Sequence, residues 1–235
     1  MEPPAPKVDP THGRCLITRQ HGRSVQRCHI IRQSEPSDAI FRLELWWGMS
    51  FRSLDLSSTK NTILLRADLH WLFECGRFGL LPSKDIIDKV SDHVKSIRGR
   101  RCVSPILDIY SGAEVFDYIL VPFQEMKHVA IPRLRLAQGT TPILSKNDVS
   151  GVDCYTYPFR DLGPLRSHIL PHFAIYDLGS KILRIDSSEF YRTGYDLSQI
   201  RHIFREWVCD LEESLVGGKR EVEPVSNKRK RRRAP

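Results

Sequence analysis

Two stretches decide how this chain is read: Arg27-Cys28-His29-Ile30-Ile31, and Asn61-Thr62-Ile63-Leu64-Leu65-Arg66-Ala67-Asp68-Leu69-His70-Trp71-Leu72-Phe73-Glu74. In the second, Leu65, Leu69, Leu72 and Phe73 recur at helical spacing, so Leu65 to Cys75 reads as a helix with one apolar side. Gly76 follows where a left-handed residue closes a helix. In the first, His29 stands before two isoleucines in a run, Ser24 to Ile31, that reads as a strand. Cys15 to Thr18 reads as an earlier strand, joined to it by a turn at Arg19-Gln20-His21-Gly22. The predicted unit is β-β-α. Its polar residues come in the order His29, Asn61, His70. Glu74 lies four residues beyond His70 and so shares its helical face. A histidine paired with a carboxylate suits a hard or borderline metal. Asp68 is an alternative acid, set off that face.

This order and its context resemble the HNH endonuclease family, a ββα-metal family, over about residues 15–82. The likeness is to fungal-type members, which read HII and then N-x-x-L-L-x-x-D-L-H-x-L-F. It implies that His29 is the general base, that Asn61 pins the adjoining loop and orients the base, and that His70 binds a metal. It adds Glu74 as a second helical ligand. Many members carry a further ligand just before the first histidine, and here that position is Cys28. A thiolate suits zinc better than magnesium, and a regular strand turns Cys28 to the face opposite His29. The implied cofactor is a divalent ion (Mg, Mn or Zn), and the implied substrate is DNA. The chemistry fits the residue types, because imidazole titrates near neutral pH and a divalent ion holds charge on a phosphate.

The charge is unevenly placed. Six of the eight net positive charges sit in Lys228, Arg229, Lys230, Arg231, Arg232 and Arg233, leaving residues 1–215 at +2. The high isoelectric point is therefore mostly a property of the tail. A run of like charges repels itself and stays solvated, so residues 216–235 are predicted to be disordered, and the run reads as a nuclear import signal. That places the protein in the nucleus, with an import receptor as one partner. Within the body, Arg14, Arg19, Arg23, Arg27 and Arg32 occur between His12 and Ser34 with no acidic residue among them. They are the candidate phosphate contacts.

Residues 1–11 hold four prolines, lack an apolar stretch and read as a disordered start rather than a secretory signal. Six cysteines occur, none in C-x-x-C spacing. Cys15, Cys28 and Cys75 with His70 are a conceivable structural zinc set. Most of the cysteines read as small buried apolar residues, as Trp46 and Trp47 read as packing residues. His12 and His21 read as exposed loop residues, and His168 and His172 as satisfied core or turn residues.

The fold class is α+β. A module at residues 12–83 is followed by an α+β region at 84–215 that packs on it. The expected elements there are a helix from Asp85 to Arg98, strands at Phe116–Pro122, Val129–Leu136, Cys154–Tyr157 and Phe173–Asp177, and a helix from Asp196 to Leu215. No apolar run is long enough to cross a membrane. The function expected is metal-dependent cleavage of DNA. The alternative is a catalytically inactive HNH-derived nuclear protein that binds nucleic acid or serves as a scaffold. The oligomeric state is left open.

Overall fold

The computed structural model describes residues 9–98, 104–136, 149–185 and 192–209. Its first sheet pairs β1 (Val25–His29) antiparallel with β2 (Thr62–Arg66), from Val25 opposite Arg66 to His29 opposite Thr62. This corrects the expected pairing. Cys15–Thr18 is a turn, because the Cys15 amide donates to Gln20 O at 2.8 Å and the Arg19 amide to Cys15 O at 2.9 Å. Leu16 still reaches the sheet, donating its amide to Leu64 O at 2.8 Å. The true partner strand lies inside the stretch first read as helix. There Ile63 and Leu65 alternate inward with period two, while Leu65 and Leu69 also satisfy helical spacing.

Between these strands runs α1 (Ser37–Trp46), close to its expected bounds. Its N-cap is Pro36, and neither Ser37 nor Asp38 caps it with a side chain. The chain leaves β2 straight into α2 (Ala67–Glu74). That helix ends in a Schellman turn: Gly76, at φ +72°, donates to Phe73 O at 2.9 Å, and Arg77 donates to Leu72 O at 2.9 Å. Then β3 (Phe78–Pro82) begins at once, buried at every position.

α3 (Lys84–Arg98) follows, close to its expected bounds. Further along come β4 (Phe116–Pro122), β5 (Ala130–Leu136), β6 (Val149–Thr156) and β7 (Leu165–Ser167). β3, β4 and β7 make one antiparallel sheet in that order, and β5 with β6 make a separate ribbon.

Phe173–Asp177, expected as a strand, is part of a helix, α4 (Pro171–Ile182). Pro171 occupies its first turn, where a missing N–H costs nothing. The residues after it are buried almost all round, so the amphipathic period that marks a surface helix is absent. α5 (Ser198–Val208) ends the described chain, and the rest of the helix expected to Leu215 lies outside the described residues, as does the Lys228–Arg233 run.

α4 packs on β3 and α5. At β3 the approach is close: a Cβ on Gly79 would stand 2.6 Å from Leu178 Cδ1. One continuous apolar core runs from Cys15 to Trp207 and includes both Trp46 and Trp47, neither with exposed surface. His172 is buried in it, its Nδ1 2.9 Å from the Tyr110 hydroxyl. His12 and His21 are exposed. Of the described cysteines, Cys15 and Cys28 are buried, while Cys75, Cys154 and Cys209 are exposed.

Candidate active site

The site starts where β1 runs out of partners. The last backbone bond past the strand is Ile30 N–H to Asn61 O, at 2.9 Å. The Asn61 side chain then continues the ladder. Its Oδ1 accepts from Ile31 N–H at 2.9 Å and its Nδ2 donates to Ile31 O at 2.8 Å, imitating one more strand peptide. Nδ2 also donates to Leu56 O at 2.8 Å. A carboxylate would lack the two donations and an aliphatic residue all three bonds, which is why an amide is needed at this buried point. His29, half-buried, is the residue immediately before the clamped turn.

From the other side the clamped loop is held by residues far along the chain. His168 Nε2 lies 3.1 Å from Thr59 O, and Leu170 N–H donates to Lys60 O at 3.1 Å. Burial holds the His168 ring below its ordinary pKa, ahead of the opposing pull of Asp9.

His29 opens on a cleft of about 770 Å³ that also takes in His70 and Glu74 from α2. His70 Nδ1 lies 3.0 Å from Gln26 Oε1, and its Nε2 lies 3.2 Å from Glu74 Oε1. In the tautomer that donates Nδ1–H to Gln26, the Nε2 lone pair faces a carboxylate oxygen. Two such acceptors hold together only around a cation, either a proton or a metal ion. Their separation is close to the roughly 3 Å between adjacent ligands of an octahedral ion with bonds of about 2.1 Å. Gln26 is then the outer partner that a ligating histidine ordinarily has. His70 and Glu74 are therefore the residues that would hold a divalent ion here. No group of three or more His, Cys, Asp or Glu side chains is suitably gathered for a metal among the described residues, and this includes the Cys15, Cys28, Cys75 and His70 set.

Cys28 turns into the core and has no exposed surface. Burial pushes its thiol up to about 12, so it stays protonated at neutral pH. Asp68 is held by Arg66, whose Nε and Nη2 donate to its two oxygens at 2.6 Å each, and this keeps its carboxyl below the usual range. Among the five arginines, Arg27 and Arg32 line the cleft. Arg32 also donates to Glu74 O at 2.9 Å, tying the turn after β1 to the end of α2. Arg23 is exposed but does not line it, and Arg14 is folded back to donate to Arg19 O at 3.1 Å.

The cleft has a wall that the sequence reading missed. α4 brings Tyr176, Asp177 and Lys181 to it, and Arg184 follows just past the helix end. The Lys181 ammonium is 2.8 Å from Asp177 Oδ2 and 3.3 Å from the centre of the Phe73 ring on α2. Burial pushes the Asp177 carboxyl up and the Lys181 ammonium down, and each group's charge opposes the shift of the other. Tyr176 donates its hydroxyl to Glu35 at 2.5 Å. Pro171, with Asp177 and Lys181 spaced i, i+4, was the available signal for a helix here.

Residues 15–81 match the family model described as HNH endonuclease. Over that segment the chain is similar to the HNH endonuclease family. The HNH segment thus carries His29, Asn61, His70 and Glu74, while α4 lies outside it. The chain finds no match among curated proteins or solved structures. Among the described residues, no helix is long and apolar enough to cross a membrane.

Proposed function

We propose that the protein is a metal-dependent endonuclease that hydrolyses phosphodiester bonds in DNA. The observation that carries this reading is that His29 and the His70–Glu74 pair line one cleft, which Arg27 and Arg32 also line. His29 accepts a proton from the attacking water. Asn61 fixes the turn behind it, so the imidazole keeps its direction. His70 and Glu74 would hold the divalent ion, with Gln26 fixing the His70 tautomer. Such an ion would supply stabilisation of charge on the phosphate and on the leaving oxygen. Arg27 and Arg32 hold neighbouring phosphate oxygens.

The test is nicking of supercoiled plasmid with magnesium, manganese, zinc or nickel, beside an RNA substrate. Wild type should nick the DNA and His29→Ala should lose at least about 100-fold in rate. A wild type inactive with every metal overturns the enzyme reading. What remains is the inactive nucleic-acid-binding protein, a reading favoured by the burial of Cys28, whose protonated thiol is withdrawn from the ligand position before His29.

The Lys228–Arg233 run is proposed as a nuclear import signal, on the strength of six consecutive positive charges. Residues 216–235 fused to a fluorescent cargo too large for passive entry should concentrate it in nuclei. Cytoplasmic retention removes the assignment.

A further inference from the structure

The charges on the α4 side of the cleft do not balance. Three cations, Lys181, Arg32 and Arg184, act on one buried carboxylate, Asp177. Lys181 alone bonds to it. The other acid at this end, Glu35, is held by the Tyr176 hydroxyl. Arg32 gives one N–H to the Glu74 carbonyl and keeps the remainder of its fork. The exposed Arg184 side chain engages no other described residue in a hydrogen bond or ion pair, though its backbone amide donates to Lys181 O at 3.0 Å. That bond carries the helical path past Ile182 and brings the bases of Lys181 and Arg184 to one side of the helix end. Two arginine forks and a fixed ammonium against two carboxylates, Asp177 and Glu35, leave a net positive charge on this side of the concave site. Such an arrangement takes an anion with several oxygens, and guanidinium forks match phosphate geometry.

We propose that Arg184 and Arg32, backed by Lys181, form a phosphate subsite that holds the nucleic-acid backbone next to the bond cleaved at His29. The subsite rests on the nuclease reading and extends it beyond the family segment, because half of it is built by α4. Asp177 holds Lys181 in place rather than neutralising the subsite, and the ammonium contributes its charge from beneath while the two arginines make contact. The cleft is shared with His29 and His70, so a strand held at Arg184 passes the catalytic histidine.

The test uses the full chain carrying His29→Ala to stop turnover, and a fluorescein-labelled DNA duplex with manganese. Affinity is measured by anisotropy across a salt series. Adding Arg184→Gln should weaken binding roughly five- to tenfold at low salt and lower the log–log salt slope by about 0.9, the value for one phosphate contact. Arg184→Lys should keep the slope and lose part of the affinity. Lys95→Gln, on the exposed face of α3 and outside the cleft, should change neither. An Arg184→Gln protein with the parental slope and affinity overturns the subsite, as does an equal loss in Lys95→Gln. A parental protein that binds no DNA overturns the nucleic-acid reading and the subsite with it.

Discussion

The two sides of the cleft are built by opposite means. On the β1–α2 side, polar groups stand at the ends of regular elements, and backbone hydrogen bonds hold them. Asn61 finishes the β1–β2 ladder, His29 sits at its last pair, and His70 points from an early turn of a short helix. On the α4 side the charges come from inside a helix that is buried nearly all round, and they are held by each other and by the Phe73 ring. The first side tolerates solvent at its working groups. The second keeps an ion pair that water barely reaches, with Asp177 9% and Lys181 7% exposed. Damage to the first should therefore remove chemistry through lost geometry, and damage to the second should act first on stability.

The sharpest way to break that contrast is Lys181→Met, which leaves the buried Asp177 without its hydrogen-bonded partner. It should cost about 3–5 kcal/mol in urea unfolding, and the double change Lys181→Met/Asp177→Leu should recover most of the loss. A single variant as stable as wild type would show that the pair is solvated. On the other side, Asn61→Ala strands the Ile31 amide and the carbonyls of Ile31 and Leu56, for about 3 kcal/mol. Asn61→Asp keeps the bond from Ile31 N–H but sets a buried carboxylate against the Ile31 and Leu56 carbonyls, and at neutral pH it should cost at least as much. Nicking activity should fall further in both Asn61 variants than their folded fraction does; activity that simply tracks folding would reduce Asn61 to a packing residue.

A smaller effect is expected from acid. Burial, with His93 nearby, lowers the His172 imidazole to about 3, so the native state keeps it neutral. The unfolded chain, with an ordinary imidazole near 6.5, binds the proton first, and stability falls as pH drops from 6.5 toward 3. Between pH 7.5 and 5.0 the loss should be about 2 kcal/mol in urea midpoints, and His172→Gln should flatten most of it. Equal stability at the two pH values in wild type would mean that His172 is hydrated.

These same differences explain what the sequence disclosed. The placement of His29, Asn61, His70 and Glu74 was legible because each occupies a position in a local pattern: a strand end, a loop and one helical face. The strand Thr62–Arg66 was not, because Leu65 and Leu69 satisfy a helix while Ile63 and Leu65 satisfy a strand, and the switch falls at Arg66. β3 was missed because it is apolar at every position, like a fully buried strand, and has no alternation to read. α4 lost its period for the same reason, so its first half read as a strand ending at Asp177, and Lys181 fell outside any expected element. Gln26 and Tyr176 gave no signal, since each acts by touching one residue far away in sequence.

The Schellman turn after α2 has a consequence for how this module can be handled. Only Cys75, Gly76 and Arg77 separate the helix from β3, and the hydrogen-bond partner of β3 is β4, about forty residues further on. The boundary of the family match, residue 81, falls inside that strand. A fragment stopped there would present a bare, wholly apolar edge, which invites pairing with other chains. Unlike a bead on a string, the HNH segment shares its last strand with the rest of the fold, and a fragment meant to stand alone should carry β4 and α4 with it.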